Sequence, residues 1–303
     1  MRVVIALGGN ALLKRGEPMT AANQRANVRN AAAAIADLAR DHNVVVAHGN
    51  GPQVGLLALQ AAALKDVEPY PLDILGAESV GMIGYLVEQE LTNAMPAGSR
   101  IATLLTQIEV DRHDPAFDNP VKPIGPVYSR DEAVAARTAQ NWPMIEESAG
   151  NWRRVIASPA PGHITQIATI RLLVEAGVTV ICAGGGGIPV VRDEEGNLEG
   201  IEAVIDKDRA TGLLAEELSA DAYLMLTDVD GVYKNWGTDR QQRIEHVKPG
   251  EVDASLFPPG SMGPKVEAAL KFSSHPGRLA GIGRLQDARA ILEQRAGTRF
   301  SLE

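Results

Sequence analysis

The chain has 303 residues, 45% of them hydrophobic, and a formal net charge of −9. That length supplies one large or two ordinary domains with a sizeable core, and the acidic balance argues against a nucleic-acid or anionic-membrane surface. Cys182 is the only cysteine, so no intrachain disulfide can form, and Cys/His zinc spacings are absent.

The start, "MRVVIALGG", has too short an apolar part to be a secretory signal and lacks the small-residue cleavage site. No apolar run approaches the ~20 residues that span a bilayer, so a cytoplasmic protein is expected. The first predicted strand, Val3–Leu7, runs into Gly8-Gly9-Asn10. Val28, Ala31, Ala32, Ile35, Leu38 and Ala39 then recur at helical spacing. A second strand, Val44–Ala47, ends in "HGNG", His48 to Gly51, and Pro52 marks the start of another helix with Val54, Leu57, Ala58 and Ala61 on one face. From about His113 to Pro161 the rhythm breaks into a proline-rich excursion holding two of the three tryptophans, which reads as an inserted subdomain or lid. A helix over Ile164–Ala176 feeds a strand, Val178–Ala183, ending in "GGGG", Gly184 to Gly187. A further strand, Ala222–Thr227, ends in "DVDG", Asp228 to Gly231. Alternating strands and helices predict an α/β protein with a mainly parallel, buried sheet. Ligands of open sheets bind beyond the carboxyl ends of the strands, which is where all four turns fall.

The chain contains no G-x-x-x-x-G-K-[ST] loop, no H-E-x-x-H and no G-x-S-x-G, and "GNGPQV" has Val54 where a dinucleotide fingerprint needs its third glycine. What remains is glycine turns and lysines. Consecutive glycines at a strand end let N–H groups converge on an anion, and a following helix adds its dipole. Taken alone, Gly8-Gly9 is more simply a tight turn; equivalent turns nearby shift it towards a phosphate cradle. Lys207, in "VIDKDRA", lies between Asp206 and Asp208, carboxylates suited to orient it and keep it protonated. Lys265, in "GSMGPKVEAAL", sits at a predicted helix start, where the macrodipole disfavours a cation unless an anion offsets it. Either lysine alone reads equally as a solvated surface residue. Asp208 fits both a helix cap and the role of site organiser, and Asp228 both a structural Asp-Gly turn and a nucleotide contact. Tyr233 offers an aromatic face to a base, or packs as an ordinary core tyrosine.

In order along the chain, "ALGGNAL", "HGNGPQVG", "GAESVGMIGYLVEQEL", "KPIGPVY", "WRRVIASP", "AGGGGIPV", "EAVIDKDRA", "LTDVDGVYKNWG", "GSMGPKVEAA" and "AGTRF" resemble the carbamate kinases of the amino-acid kinase superfamily. The resemblance covers essentially the whole chain. It implies a three-layer αβα sandwich with a central, mainly parallel sheet and a protruding subdomain. The whole chain, 1–303, is then a single amino-acid kinase domain. Its acceptor-side lobe spans roughly 1–175 and contains the subdomain, roughly 113–161; its nucleotide lobe spans roughly 176–303. The implied reaction is ATP + carbamate ⇌ ADP + carbamoyl phosphate with Mg²⁺, often run towards ATP in fermentative arginine catabolism, by a homodimer.

Residue by residue, the resemblance implies that Gly8, Gly9 and Asn10 face the transferring phosphoryl group, and that Gly49, Asn50 and Gly51 bind on the acceptor side. Lys207 and Lys265 match lysines that bind nucleotide phosphates and the phosphoryl in transit, with Asp208 beside them. Asp228, Tyr233 and Met262 fall on the nucleotide side, and Lys122 is carried in by the subdomain. Many superfamily members have a lysine two residues before the glycine pair; here that position is Ala6, and Lys122 is the candidate replacement. No general base is evident, and none is required: the carbamate carboxylate is already ionised. No multi-acid metal cage is visible either, so Mg²⁺ is expected mainly on phosphate oxygens and water. Two other readings remain open on sequence: a kinase of another small carboxylate or phosphate on the same fold, and a non-catalytic nucleotide or metabolite sensor.

Overall fold

The computed structural model describes residues 1–14, 16–64, 68–258 and 260–303, with only the backbone at Asn10 and Pro126. Its central sheet runs edge to edge through His246–Val247, Thr298–Phe300, Leu279–Arg284, Ala222–Thr227, Arg2–Leu7, Asn43–His48, Thr179–Ile181 and Ile101–Thr103. Every pairing is parallel except that of Leu279–Arg284 with Thr298–Phe300.

The helices among the described residues are α1 (Ala21–Ala39), α2 (Gly51–Ala63), α3 (Leu72–Ala94), α4 (Arg130–Gln140), α5 (Ile167–Glu175), α6 (Lys207–Glu217), α7 (Met262–Ser273) and α8 (Ala288–Leu292). Strand side chains alternate between two faces, and both faces are buried. Val3, Ile5, Leu7, Val44, Val46, Leu224 and Leu226 pack with α1, α3 and α8. Val4, Ala6, Val45, Ala47, Val180, Tyr223 and Met225 pack with α5, α6 and α7. Double burial is why these strands read as continuous apolar runs. The result is the three-layer αβα sandwich expected from the sequence, and no helix among the described residues is long and apolar enough to cross a membrane.

Beside the sandwich lies a three-stranded antiparallel sheet, Lys122–Tyr128, Asn151–Ile156 and Met144–Ser148, joined by α4. A capping box starts α4: Ser129 Oγ accepts from Glu132 N–H, and Glu132 accepts from Ser129 N–H. Ile124 and Ile156 fix this sheet to Val54 and Ala58 of α2 and to Leu72 and Leu75 of α3. Contact is tightest where α2 presents Gly55 to Gly125: a Cβ on Gly55 would sit 2.7 Å from Gly125 N. Gly125 itself has φ +72°, a left-handed conformation suited to glycine.

The parallel register places Leu7 level with His48 and Leu226, and Val46 level with Ile181, so the ends of all four strands share one edge. The connections leaving these strands depart from a uniform strand-turn-helix pattern. Only the turn after Asn43–His48 enters an α-helix directly. Gly9–Ala11 is a short 3-10 turn and α1 starts ten residues later, at Ala21. Gly184–Gly186 leads into a strand, Ile188–Arg192, and Thr227 leads into the hairpin Val232–Lys234/Gln242–Ile244. The helix expected from Ile164 begins at Ile167, because Ile164 ends a strand.

Candidate functional site

Helices α6 and α7 bring their amino-terminal turns to this edge. Lys207 is the first residue of α6 and Lys265 the fourth of α7. Both cations oppose the helix dipole, and both are held by Asp208. Lys207 Nζ lies 2.5 Å from Asp208 Oδ1, and Lys265 Nζ lies 2.7 Å from Asp208 Oδ2. Burial alone would raise the Asp208 pKa. The two ammonium groups outweigh it and hold the carboxyl well below the usual carboxylate range. Burial and the neighbouring Lys265 lower the Lys207 pKa against the pull of Asp208. For Lys265 burial is outweighed by Asp208, Asp206 and Asp228, and its pKa is raised. The backbone of Asp208 is also fixed, since Tyr223 OH donates to its carbonyl at 2.9 Å.

Asp206 has a different partner from the one expected. It favours the charged form of Lys207 electrostatically, as expected, but its direct ion pair is with Lys122 Nζ, from which it accepts at 2.5 Å and which arrives from the three-stranded sheet. Its other oxygen caps α6, accepting from the N–H groups of Asp208 at 2.9 Å and Arg209 at 3.4 Å. Three lysines and two aspartates thus meet within one cluster, leaving a surplus of one positive charge. Both carboxylates are already paired with ammonium groups.

The glycine turns crowd against this cluster. A Cβ on Gly49 would lie 3.6 Å from Lys207 Cε and 4.0 Å from Gly9 N, so the Lys207 stem runs between the two turns. Gly8 donates its N–H to Leu226 O at 2.9 Å, and its contribution is therefore close approach rather than a donor. A Cβ there would meet Leu226 O at 3.0 Å. Gly185, Gly186 and Gly187 have φ of +68°, +95° and +82°. Glycine is demanded twice over at Gly186, where a Cβ would run into the carbonyl of Ile205, just before the Asp206 cap.

The remaining candidates fall into three places. Asn50 is buried: its Nδ2 donates to Ser79 Oγ at 2.9 Å, and its carboxamide abuts Gly185. Gly51 begins α2. The Asn10 side chain lies outside the described residues. Asp228 accepts from Thr227 Oγ1 at 3.0 Å. Tyr233 donates to Asp230 at 2.8 Å, with its ring edge-on to the exposed Trp236 at 5.1 Å. Met262 opens α7, half-buried against the core. Among the described residues no three His, Cys, Asp or Glu side chains are grouped to hold a metal ion.

Three contributors escape sequence reasoning: His48, Ser79 and Asp206 in its actual role. Asp206 carries a readable signal, an aspartate immediately before a helix. His48 is the polar residue closing an otherwise apolar strand end; its ring is buried, and its Nδ1 donates to Gly49 O at 3.0 Å. Ser79 gives none, being one serine in a long helix.

The sequence signature of the amino acid kinase family matches residues 1–279. A carbamate kinase of Haemophilus influenzae is 54% identical over 301 residues, 99% of this chain and 97% of that one. One from Escherichia coli K12 is 50% identical over 99% of both chains. Among solved structures, carbamate kinase from Giardia lamblia bound to AMP-PNP superposes with a TM-score of 0.90 at 39% identity, covering 99% of this chain and 98% of that one.

Proposed function

The chain belongs to the amino acid kinase family, and from that premise we propose that it is a carbamate kinase, moving a phosphoryl group reversibly between ATP and carbamate. The observation that carries this reading is the pair Lys207 and Lys265 sharing Asp208 at two helix starts beside glycine turns. In the ATP-consuming direction, a carboxylate oxygen of carbamate attacks the γ-phosphorus while the bond to the ADP oxygen breaks, giving carbamoyl phosphate. In reverse, an ADP β-phosphate oxygen attacks carbamoyl phosphate and carbamate leaves. Neither attacking oxygen carries a proton to be removed, which suits a site whose carboxylates are both committed to lysines. Catalysis then rests on alignment and on charge held where the equatorial oxygens develop it.

Lys207 and Lys265 neutralise the nucleotide phosphates and the phosphoryl in transit, and Asp208 fixes their separation. Lys122 supplies, from the three-stranded sheet, the charge absent at Ala6. Gly9 and Gly49 allow the close approach, while Asp228, Tyr233 and Met262 border the nucleotide. Mg²⁺, when bound, would be held mainly through phosphate oxygens and water and would supply further neutralisation; among the described residues no three His, Cys, Asp or Glu side chains form a cage for it. The segment around 113–161 is proposed as a protruding subdomain inserted in an acceptor lobe, roughly 1–175, which is followed by a nucleotide lobe, roughly 176–303. We place the enzyme in the cytoplasm, making ATP from carbamoyl phosphate, as a homodimer. The dimer reading is supported by the exposed apolar side chains Ile74, Met82 and Tyr85 on one face of α3, which they share with the exposed Glu78.

A coupled assay of ATP formation from ADP with carbamoyl phosphate, acetyl phosphate and N-acetylglutamyl phosphate in parallel tests the substrate. Preference for carbamoyl phosphate is expected. Equal or greater turnover of either alternative overturns the assignment, and nucleotide binding without turnover favours a sensor.

A further inference from the structure

The two oxygens of Asp206 serve different parts of the molecule. Oδ1 caps α6, the helix whose first two residues are Lys207 and Asp208. Oδ2 holds Lys122, the first residue of the three-stranded sheet and 84 positions away in sequence. The segment leading to Asp206 is pinned as well. Val204 N–H donates to Ala157 O at 3.0 Å, next to Ile156, which pairs with Lys122 across the sheet. The carbonyl of Ile205 fills the space over Gly186. Asp206 is therefore a fixed point on a rigid frame, whereas Lys122 is a long, flexible cation with a third of its side chain exposed.

We propose that Asp206 is a positioning residue that holds Lys122 over the phosphoryl site and ties the three-stranded sheet to the start of α6. This deepens the reading of Lys122 given above and rests on it. An ammonium has three donors, so Lys122 binds Asp206 with one and presents the others to a phosphoryl oxygen without releasing its anchor. Anchoring pre-empts the rotamer entropy that a free lysine loses on being fixed, and it sets the sheet at the distance the reaction needs. Asp206 touches no reacting atom and acts through Lys122.

The opposite view makes the same ion pair a resting latch that substrate must break. The two differ in sign: loss of an anchor slows the reaction, and loss of a latch speeds it. Asp206→Asn separates the two jobs of the side chain, because asparagine caps helices as well as aspartate does but carries no charge for Lys122.

The test is a double-mutant cycle in the full chain with carbamoyl phosphate and ADP, using wild type, Asp206→Asn, Lys122→Ala and the double variant, with unfolding midpoints measured alongside. We expect Asp206→Asn to lower kcat on the order of tenfold at an unfolding midpoint no lower than that of Lys122→Ala, which breaks the same ion pair, and to have almost no further effect in the Lys122→Ala background. An equal loss in both backgrounds, normal turnover of Asp206→Asn beside a slow Lys122→Ala, or a faster Asp206→Asn would each overturn the anchoring role while leaving that of Lys122 intact. Near-normal turnover of Lys122→Ala would overturn the reading of Lys122, and the anchoring role with it.

Discussion

Asp208 is the residue on which the cluster depends. It is buried between two ammonium groups, and without its charge two like charges would face each other in a desolvated place, a cost beyond the loss of either ion pair. Lys265 is the simpler probe, since its raised pKa keeps it charged throughout the working range. Lys265→Ala should lower kcat by at least ~100-fold, the scale for removing one electrostatic stabiliser; steady-state kinetics within a few-fold of wild type would refute its role. His48 supplies a prediction about pH. Burial lowers its pKa from 6.5 to about 4, the bond to Gly49 O opposing and Lys207 assisting. The unfolded chain therefore binds the extra proton in that window. Its contribution to stability is complete above about pH 6.5 and is lost as pH falls towards 4. Between pH 7 and pH 5 the loss should be about 2 kcal/mol, read as a falling urea midpoint, and His48→Gln should flatten the slope. Parallel slopes for the two proteins would sink the assignment of that pH dependence to His48.

At the scale of elements, the glycine turns and the strands before them are legible because their signal is local: an apolar run, then glycine. Lys207 and Lys265 are legible as candidates through their flanking carboxylate and helix start. Their convergence on one carboxylate is not, because the 57 positions between Asp208 and Lys265 carry no trace of how α6 and α7 pack. The same holds for Lys122 and Asp206. Asn50 reads as a substrate contact by its place in a glycine turn, and its bond to Ser79 Oγ, 29 positions away, is invisible in the sequence for the same reason. The contact of α2 with the three-stranded sheet lends itself to test at Gly55. In an isolated helix Gly55→Ala would stabilise by about 1 kcal/mol. Here the new methyl would lie 2.7 Å from a backbone nitrogen of Gly125, and backbone yields only by moving the strand that carries Lys122. The steric effect should dominate, giving a kcat lower by roughly tenfold; unchanged kinetics would show that the sheet tolerates displacement.

Across the whole molecule, the sandwich supplies a rigid edge where four strand ends and two helix starts meet. The three-stranded sheet supplies one more cation from outside the sandwich. If this face of α3 is the dimer face, light scattering should give twice the 32.2 kDa chain mass, and Tyr85→Glu, which replaces its most exposed apolar side chain by a charge, should shift the protein to monomer. A monomeric wild type, or a variant that stays dimeric, would remove the face from that role.

A site that moves a phosphoryl group by charge and alignment alone should pass that group from donor to acceptor without losing it to water. Phosphorus NMR of the protein with Mg²⁺, ADP and carbamoyl phosphate, run beside Lys265→Ala, measures this most directly. The carbamoyl phosphate signal should disappear with matching growth of the ATP signals, slowed at least ~100-fold in the variant. Release of inorganic phosphate without ATP faster than in an enzyme-free control, or a variant that keeps pace with wild type, would contradict it.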